Sequence, residues 1–158
     1  MTSSTNPSAP GPALVQRFGR RPFADATVED VMTKGIVTCG PEASLGDVAR
    51  MLIGYGIHCL VVTYPPSRGG RERWGVISDL DLVAAAGTDQ TAGEAARTDV
   101  VSVPSDAPLA RAAKRMVEYG VHHLVVVEPE TAYPIGIVST TGLTRALAVT
   151  PWETEGHR

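Results

Sequence analysis

The sequence predicts an α/β fold made of two pseudo-symmetric halves, each with the order α-β-α-β-β-α. Two observations lead there. First, the chain repeats itself: shifted by 64 positions, Thr27 falls on Thr91, Val37 on Val101, Leu45 on Leu109 and Ala49 on Ala113. In the same register Tyr55-Gly-Ile-His-Cys-Leu-Val-Val62 meets Tyr119-Gly-Val-His-His-Leu-Val-Val126, and GVIS at 75–78 meets GIVS at 136–139 at an offset of 61, the first copy having the longer loop TYPPSRGGRERW. Second, short runs of Val, Leu and Ile alternate with amphipathic stretches. This is the grammar of strands covered on both faces and of helices packed on them. A unit of about 60 residues buries too little surface to stand alone, so the copies are expected to pack together.

The elements follow in order. A short helical turn opens each copy, TVEDVM or TAGEAA, with Thr27 as N-cap and acidic residues in the first turn of the first copy. A short strand comes next, over Ile36–Cys39 or Val100–Val103. An amphipathic helix then places Leu45, Val48, Ala49 and Leu52, or Leu109, Ala112, Ala113, Met116 and Val117, on one face, with Ser44 or Asp106 as the expected cap. Gly56 and Gly120 stand where a left-handed residue would close the helix. Two strands follow, Cys59–Thr63 with Trp74–Ser78 and His123–Val127 with Ile135–Ser139, and a last helix spans Leu80–Ala86 or Gly142–Ala148. The expected boundaries are a flexible tail at 1–22, copies at 23–88 and 89–150, and a C-terminal tail at 151–158.

Composition bounds the function. A formal net charge of −3 over 158 residues gives no basic footprint for bulk nucleic-acid binding. The patch RFGRRPF, with Arg17, Arg20 and Arg21, reads as a solvated lead-in before a contact for an anionic partner. Cys39 and Cys59 have no CxxC spacing and sit in apolar runs, which favours free thiols over a disulfide or metal site. His122 and His123 are adjacent on a strand and face opposite ways, so they do not suggest a metal site. With no export signal and no stretch of membrane-spanning length, the expected location is cytoplasmic. No GxSxG, P-loop or HExxH motif is present, and no enzyme activity is expected.

The repeated segments VEDVMTKGIVTCGPEASLGDVARML, GIHCLVV and GVISDLD, with their second-copy partners, resemble a tandem pair of cystathionine β-synthase (CBS) domains, a Bateman module. The resemblance runs from about Thr27 to Ala148. It implies two CBS repeats packed sheet to sheet, an adenosyl ligand in the cleft between them, and a homodimer. One departure is plain: the family usually has LPVV in the second strand, and both copies here have LVV.

The family's ligand motif is a glycine, hydrophobic residues, Ser or Thr, two residues, then Asp. Gly75-Val-Ile-Ser78-Asp-Leu-Asp81 matches it in full. A carboxylate at Asp81 can accept from both hydroxyls of a ribose, and Ser78 suits a phosphate. The same Ser-x-x-Asp is also a helix capping box, and Ser78 can serve both ends. In the second copy Ser139 remains but Gly142 replaces the aspartate, so the two clefts are expected to differ in quality. The resemblance adds Val37, Thr38 and Cys39, and Val101 and Ser102, as lining for an adenine, and His58 and His122 as residues facing phosphates. Each of these also reads as an ordinary residue of a buried strand or strand entrance.

The expectation is therefore a free-standing, non-enzymatic regulatory module. It would bind an adenine nucleotide (AMP, ADP or ATP) or another adenosyl ligand such as S-adenosylmethionine or cyclic di-AMP, and signal to a protein target the sequence does not name. The alternative is a dimerisation or scaffold module whose nucleotide site has decayed.

Overall fold

A computed structural model describes residues 23–149. The expected tails at 1–22 and 151–158, and the arginines of RFGRRPF, lie outside the described residues. The chain divides into two compact units, Gly35–Val100 and the remainder, which is made of residues up to Lys34 together with those from Val101 onward.

In the contiguous unit, strands β2 (Thr38–Cys39), β3 (Cys59–Tyr64) and β4 (Arg73–Ser78) form one sheet in that order. β2 runs parallel to β3, and β3 antiparallel to β4. Helix α2 (Leu45–Tyr55) links β2 to β3, α3 (Asp79–Ala84) leaves β4, and the short α4 (Ala92–Ala95) follows. Ser44 caps α2 by accepting from the Asp47 N–H at 3.1 Å, and Gly56 closes it at φ 64°. Val48 and Leu52 of α2 meet Leu60, Val62 and Ile77 of the sheet in the core. Each such side chain contributes about 1.5–3 kcal/mol by leaving water. Cys59–Val62 are buried without alternation, as their unbroken apolar run predicts.

The split unit repeats this plan. Its sheet has the order β1-β7-β6-β5, from Thr33–Lys34, Pro134–Ser139, His123–Val127 and Ser102–Pro104. Helix α5 (Leu109–Tyr119) is closed by Gly120 at φ 62°, and α6 (Thr140–Val149) follows β7. Leu109, Ala112 and Met116 pack with Leu124, Val126 and Val138. Asp106 is not the cap of α5. Pro108 holds that position with no side-chain bond, because the entry is fixed by backbone pairing instead, the Leu109 N–H donating to the Ala26 carbonyl at 3.0 Å.

The compact units do not follow the sequence copies. Each copy's opening turn packs with the body of the other copy. Helix α1 (Val28–Val31) donates from the Val28 and Glu29 N–H groups to the Ala107 and Ser105 carbonyls, both at 2.9 Å. Its counterpart α4 donates from Ala92 and Gly93 to Ala43 and Pro41, both at 2.8 Å. Both turns carry capping boxes, Thr27 with Asp30 and Thr91 with Glu94. Beyond each turn the chain lies along the edge of the opposite copy's last strand. β1 pairs antiparallel with β7, Thr33 opposite Ile137, and Arg97 forms the equivalent bridge with Val76. The glycines at these crossings are required by contact. A Cβ on Gly75 would stand 2.8 Å from the Arg97 carbonyl oxygen, and one on Gly136 would stand 2.6 Å from that of Thr33.

Candidate functional site

The register of the contiguous unit gathers most of the expected site residues at one end of its sheet. Cys59 lies opposite Ser78 across β3 and β4, and Thr38 opposite Val61 across β2 and β3. The entrance of β2, the entrance of β3 and the exit of β4 therefore lie toward one end of the sheet, with Thr38 level with Val76, two residues inward of Ser78. Val37 is half-buried and its carbonyl accepts from the Val61 N–H at 2.9 Å. Thr38 is exposed, and Cys39 is half-buried. His58 is exposed, with its Nδ1 3.0 Å from Asp79 Oδ2, while its carbonyl accepts from the Asp79 N–H at 2.9 Å. Gly75 lies further along β4, opposite Val62 and buried beneath Arg97.

Ser78 and Asp81 stand where β4 turns into α3. Asp81 is 9% exposed, one of two buried polar or charged residues among those described. Its Oδ2 accepts from the Ser78 N–H at 2.9 Å and from the Ser78 hydroxyl at 2.7 Å, and the Asp81 N–H donates back to Ser78 Oγ at 3.2 Å. This is a complete capping box. Its other oxygen, Oδ1, accepts from Arg97 Nε at 2.8 Å. Burial pushes the Asp81 carboxyl up, but the Ser78 hydroxyl, the Ser78 N–H and Arg97 together outweigh it and hold the group below the ordinary aspartate range. Burial, with Asp79 and Asp81 nearby, pushes the Cys59 thiol up to about 11.

In the split unit the same end carries Val101, Ser102, His122 and Ser139. Ser102 lies opposite Val125, His123 lies opposite Ser139, and the His122 carbonyl accepts from the Thr140 N–H at 2.9 Å. Ser139 Oγ accepts from the Gly142 N–H at 3.1 Å, so the cap survives without a carboxylate. Thr33 stands where the other unit has Arg97, and Gly142 where it has Asp81. Both halves of the ion pair are missing together.

Arg97 does not emerge from the motif alone. Its signal in the sequence is indirect: it aligns with Thr33 at the 64-residue offset, just as Asp81 aligns with Gly142 at the offset of 61. Among the described residues no group of three or more His, Cys, Asp or Glu is placed to hold a metal ion. No helix of the described residues is long and apolar enough to cross a membrane.

Two copies of one small α/β plan, each with its Ser-capped strand–helix junction, define a tandem-repeat module. The CBS domain family model matches residues 28–87 and 92–149, and the chain belongs to the CBS domain family. It is similar in structure to the CBS domain pair of protein MJ0100 in complex with 5′-methylthioadenosine and S-adenosyl-L-methionine, with 25% identity, a TM-score of 0.65, and coverage of 76% of this chain and 94% of that one. It is also similar to the CBS-domain-containing protein ATU1752 from Agrobacterium tumefaciens, with 26% identity, a TM-score of 0.64, and coverage of 76% and 92%. Among curated proteins it is 25% identical over 131 residues to a homoserine O-acetyltransferase of Methanosphaerula palustris. That likeness takes in 82% of this chain and spans 26% of the enzyme's length.

Proposed function

We propose that this chain is a non-enzymatic regulatory module that binds an adenosyl ligand, in the first instance an adenine nucleotide (AMP, ADP or ATP), and passes that signal to a protein target as a homodimer. The observation that carries the reading is the clustering of Thr38, His58, Ser78 and Asp81 toward one end of the sheet, in a chain similar to a domain pair solved with two adenosyl ligands. A backbone strand edge beside Val37 and Thr38 can read an adenine, and a buried carboxylate can accept from ribose hydroxyls.

A thermal-shift panel of adenine and guanine ligands tests this, because a ligand that binds only the native state raises its melting temperature. An adenine-selective shift that Asp81→Ala abolishes is the expected result. Shifts that do not discriminate between the bases would count against the reading. Gly142→Asp gives a second arm, since a Cβ there meets Ser139 Oγ and the Val31 carbonyl oxygen only at 3.6 Å, an ordinary contact.

A second reading, a dimerisation scaffold with a decayed site, is favoured by two observations. The Asp81 carboxylate is already engaged by Ser78 and Arg97. Ile53, Tyr55, Leu80, Val83, Val117 and Tyr119 are exposed on α2, α3 and α5. Leu45, Val48 and Leu52, and Leu109, Ala112, Ala113 and Met116, face their own cores, but Val117, expected on the same face, is exposed, so it and the other exposed side chains are the ones available for pairing. A dimer by light scattering with no shift from any ligand would favour the scaffold.

A further inference from the structure

The Asp81 carboxylate takes one bond from outside its own helix cap, and that bond sits where a ligand would have to act. A carboxylate offers about four acceptor positions. On Oδ2 the Ser78 N–H and hydroxyl use both. On Oδ1 Arg97 Nε uses one at 2.8 Å. A ribose diol brings two donors, so it cannot engage Oδ1 fully while Arg97 stays. The arginine is built to leave. Its backbone is tied to Val76 by two hydrogen bonds of 2.8 Å, whereas its side chain is 65% exposed. Rotation of that side chain moves the guanidinium into water without disturbing the strand edge.

We propose that Arg97 is a built-in competitor for the ligand-binding carboxylate, exchanging with the ligand's diol on Asp81 Oδ1, and that the displaced guanidinium favours phosphate-bearing adenosyl ligands over neutral ones. This rests on the adenosyl-binding reading given above. The geometry supplies the competition. Charge supplies the selectivity, since diol binding leaves a cation beside the site with no carboxylate of its own, and a phosphate is the complementary partner. The other unit provides an internal contrast, with Thr33 and Gly142 at the two positions, so that neither the carboxylate nor its competitor is present there.

The test is a set of calorimetric titrations with 5′-methylthioadenosine, which is neutral, and AMP, which is dianionic. They are run on the wild-type chain and on Arg97→Met, Arg97→Lys and Asp81→Asn. Arg97→Met removes the competitor and should tighten methylthioadenosine by about two- to fivefold, the range set by an ion pair whose arginine is open to solvent. AMP should not tighten in parallel, so the preference for AMP over methylthioadenosine falls at least about twofold. Arg97→Lys keeps the charge and should retain most of that preference. Circular dichroism establishes that each variant is folded. Unchanged methylthioadenosine affinity in folded Arg97→Met, or an unchanged preference, overturns the competitor while leaving the adenosyl reading standing. Full affinity in Asp81→Asn also overturns it, because the ligand then does not use that carboxylate. If the wild-type chain binds neither ligand, the adenosyl reading fails and the competitor fails with it.

Discussion

Replacing Asp81 by alanine removes three interactions at once, and their environments set the size of the loss. The bond that the Ser78 hydroxyl donates to Oδ2 contributes about 1 kcal/mol, while the capping bond from the Asp81 N–H to Ser78 Oγ survives in alanine. The Ser78 N–H, half-buried at the end of β4, loses its acceptor, which costs about 1–3 kcal/mol where water does not replace it. The bond from Arg97 adds little, because its side chain is 65% exposed and an exposed pair contributes about 0–1 kcal/mol. These terms overlap, and the expected loss is about 2–3 kcal/mol, or about 5–10 °C in melting temperature for a chain of this size. The measurement is urea unfolding followed by circular dichroism at pH 7, 5 and 3. The Asp81 carboxyl titrates lower in the folded protein than unfolded, so its contribution is complete above the ordinary aspartate value of about 3.9 and is lost as pH falls through the lower folded value. The difference between wild type and variant should therefore shrink at the most acidic point. A loss below about 0.5 kcal/mol at pH 7, or a difference that persists undiminished at pH 3, would refute this account of the junction.

Two further outcomes follow from the same geometry. Gly75→Ala and Gly136→Ala each drive a methyl group against a backbone carbonyl, at 2.8 and 2.6 Å, and should cost about 1–3 kcal/mol in urea unfolding, whereas alanine at Gly142 has room and should cost far less. Cys59 is buried with its thiol raised to about 11, so a thiol reagent at pH 8 should label it only after denaturant is added, while Cys39, half-buried and with its thiol also raised by burial and by Glu42, should be labelled slowly in the native protein.

Much of the fold is legible in the sequence, for a physical reason. Side chains that build a core must recur at the spacing of the element that carries them, and a duplicated unit states that pattern twice. The helices closed by Gly56 and Gly120, the strands of buried Val and Leu, and the Ser78 and Ser139 junctions follow from such rules. What escaped has no periodicity to display. β1 is two residues long, and the Arg97 bridge is a backbone contact to Val76, marked in the sequence only indirectly, by the neighbouring Gly75 and by the alignment of Arg97 with Thr33. The entry of α5 deceived for a similar reason, since backbone pairing to Ala26 does the work that Asp106 was expected to do. Within the site, Ser78 and Asp81 were legible through their motif. The partner that occupies Asp81 was not, because it arrives from 16 residues downstream on a segment that belongs to the next copy.

The exchanged opening turns make the duplication obligatory rather than merely convenient. A single copy cut at its sequence boundary, near residue 88, would carry α1 and β1 with nothing of its own kind to receive them, and would leave the outer edge of β4 bare. An unpaired strand edge with a glycine at its centre is an invitation to recruit another chain. Such a fragment would satisfy itself only by meeting a second fragment and trading leads with it. Cutting at Lys34 and Val100 instead yields a piece that keeps its own edge covered. The peptide bond between the copies thus holds within one chain a trade of edges that two separate copies would have to make by meeting.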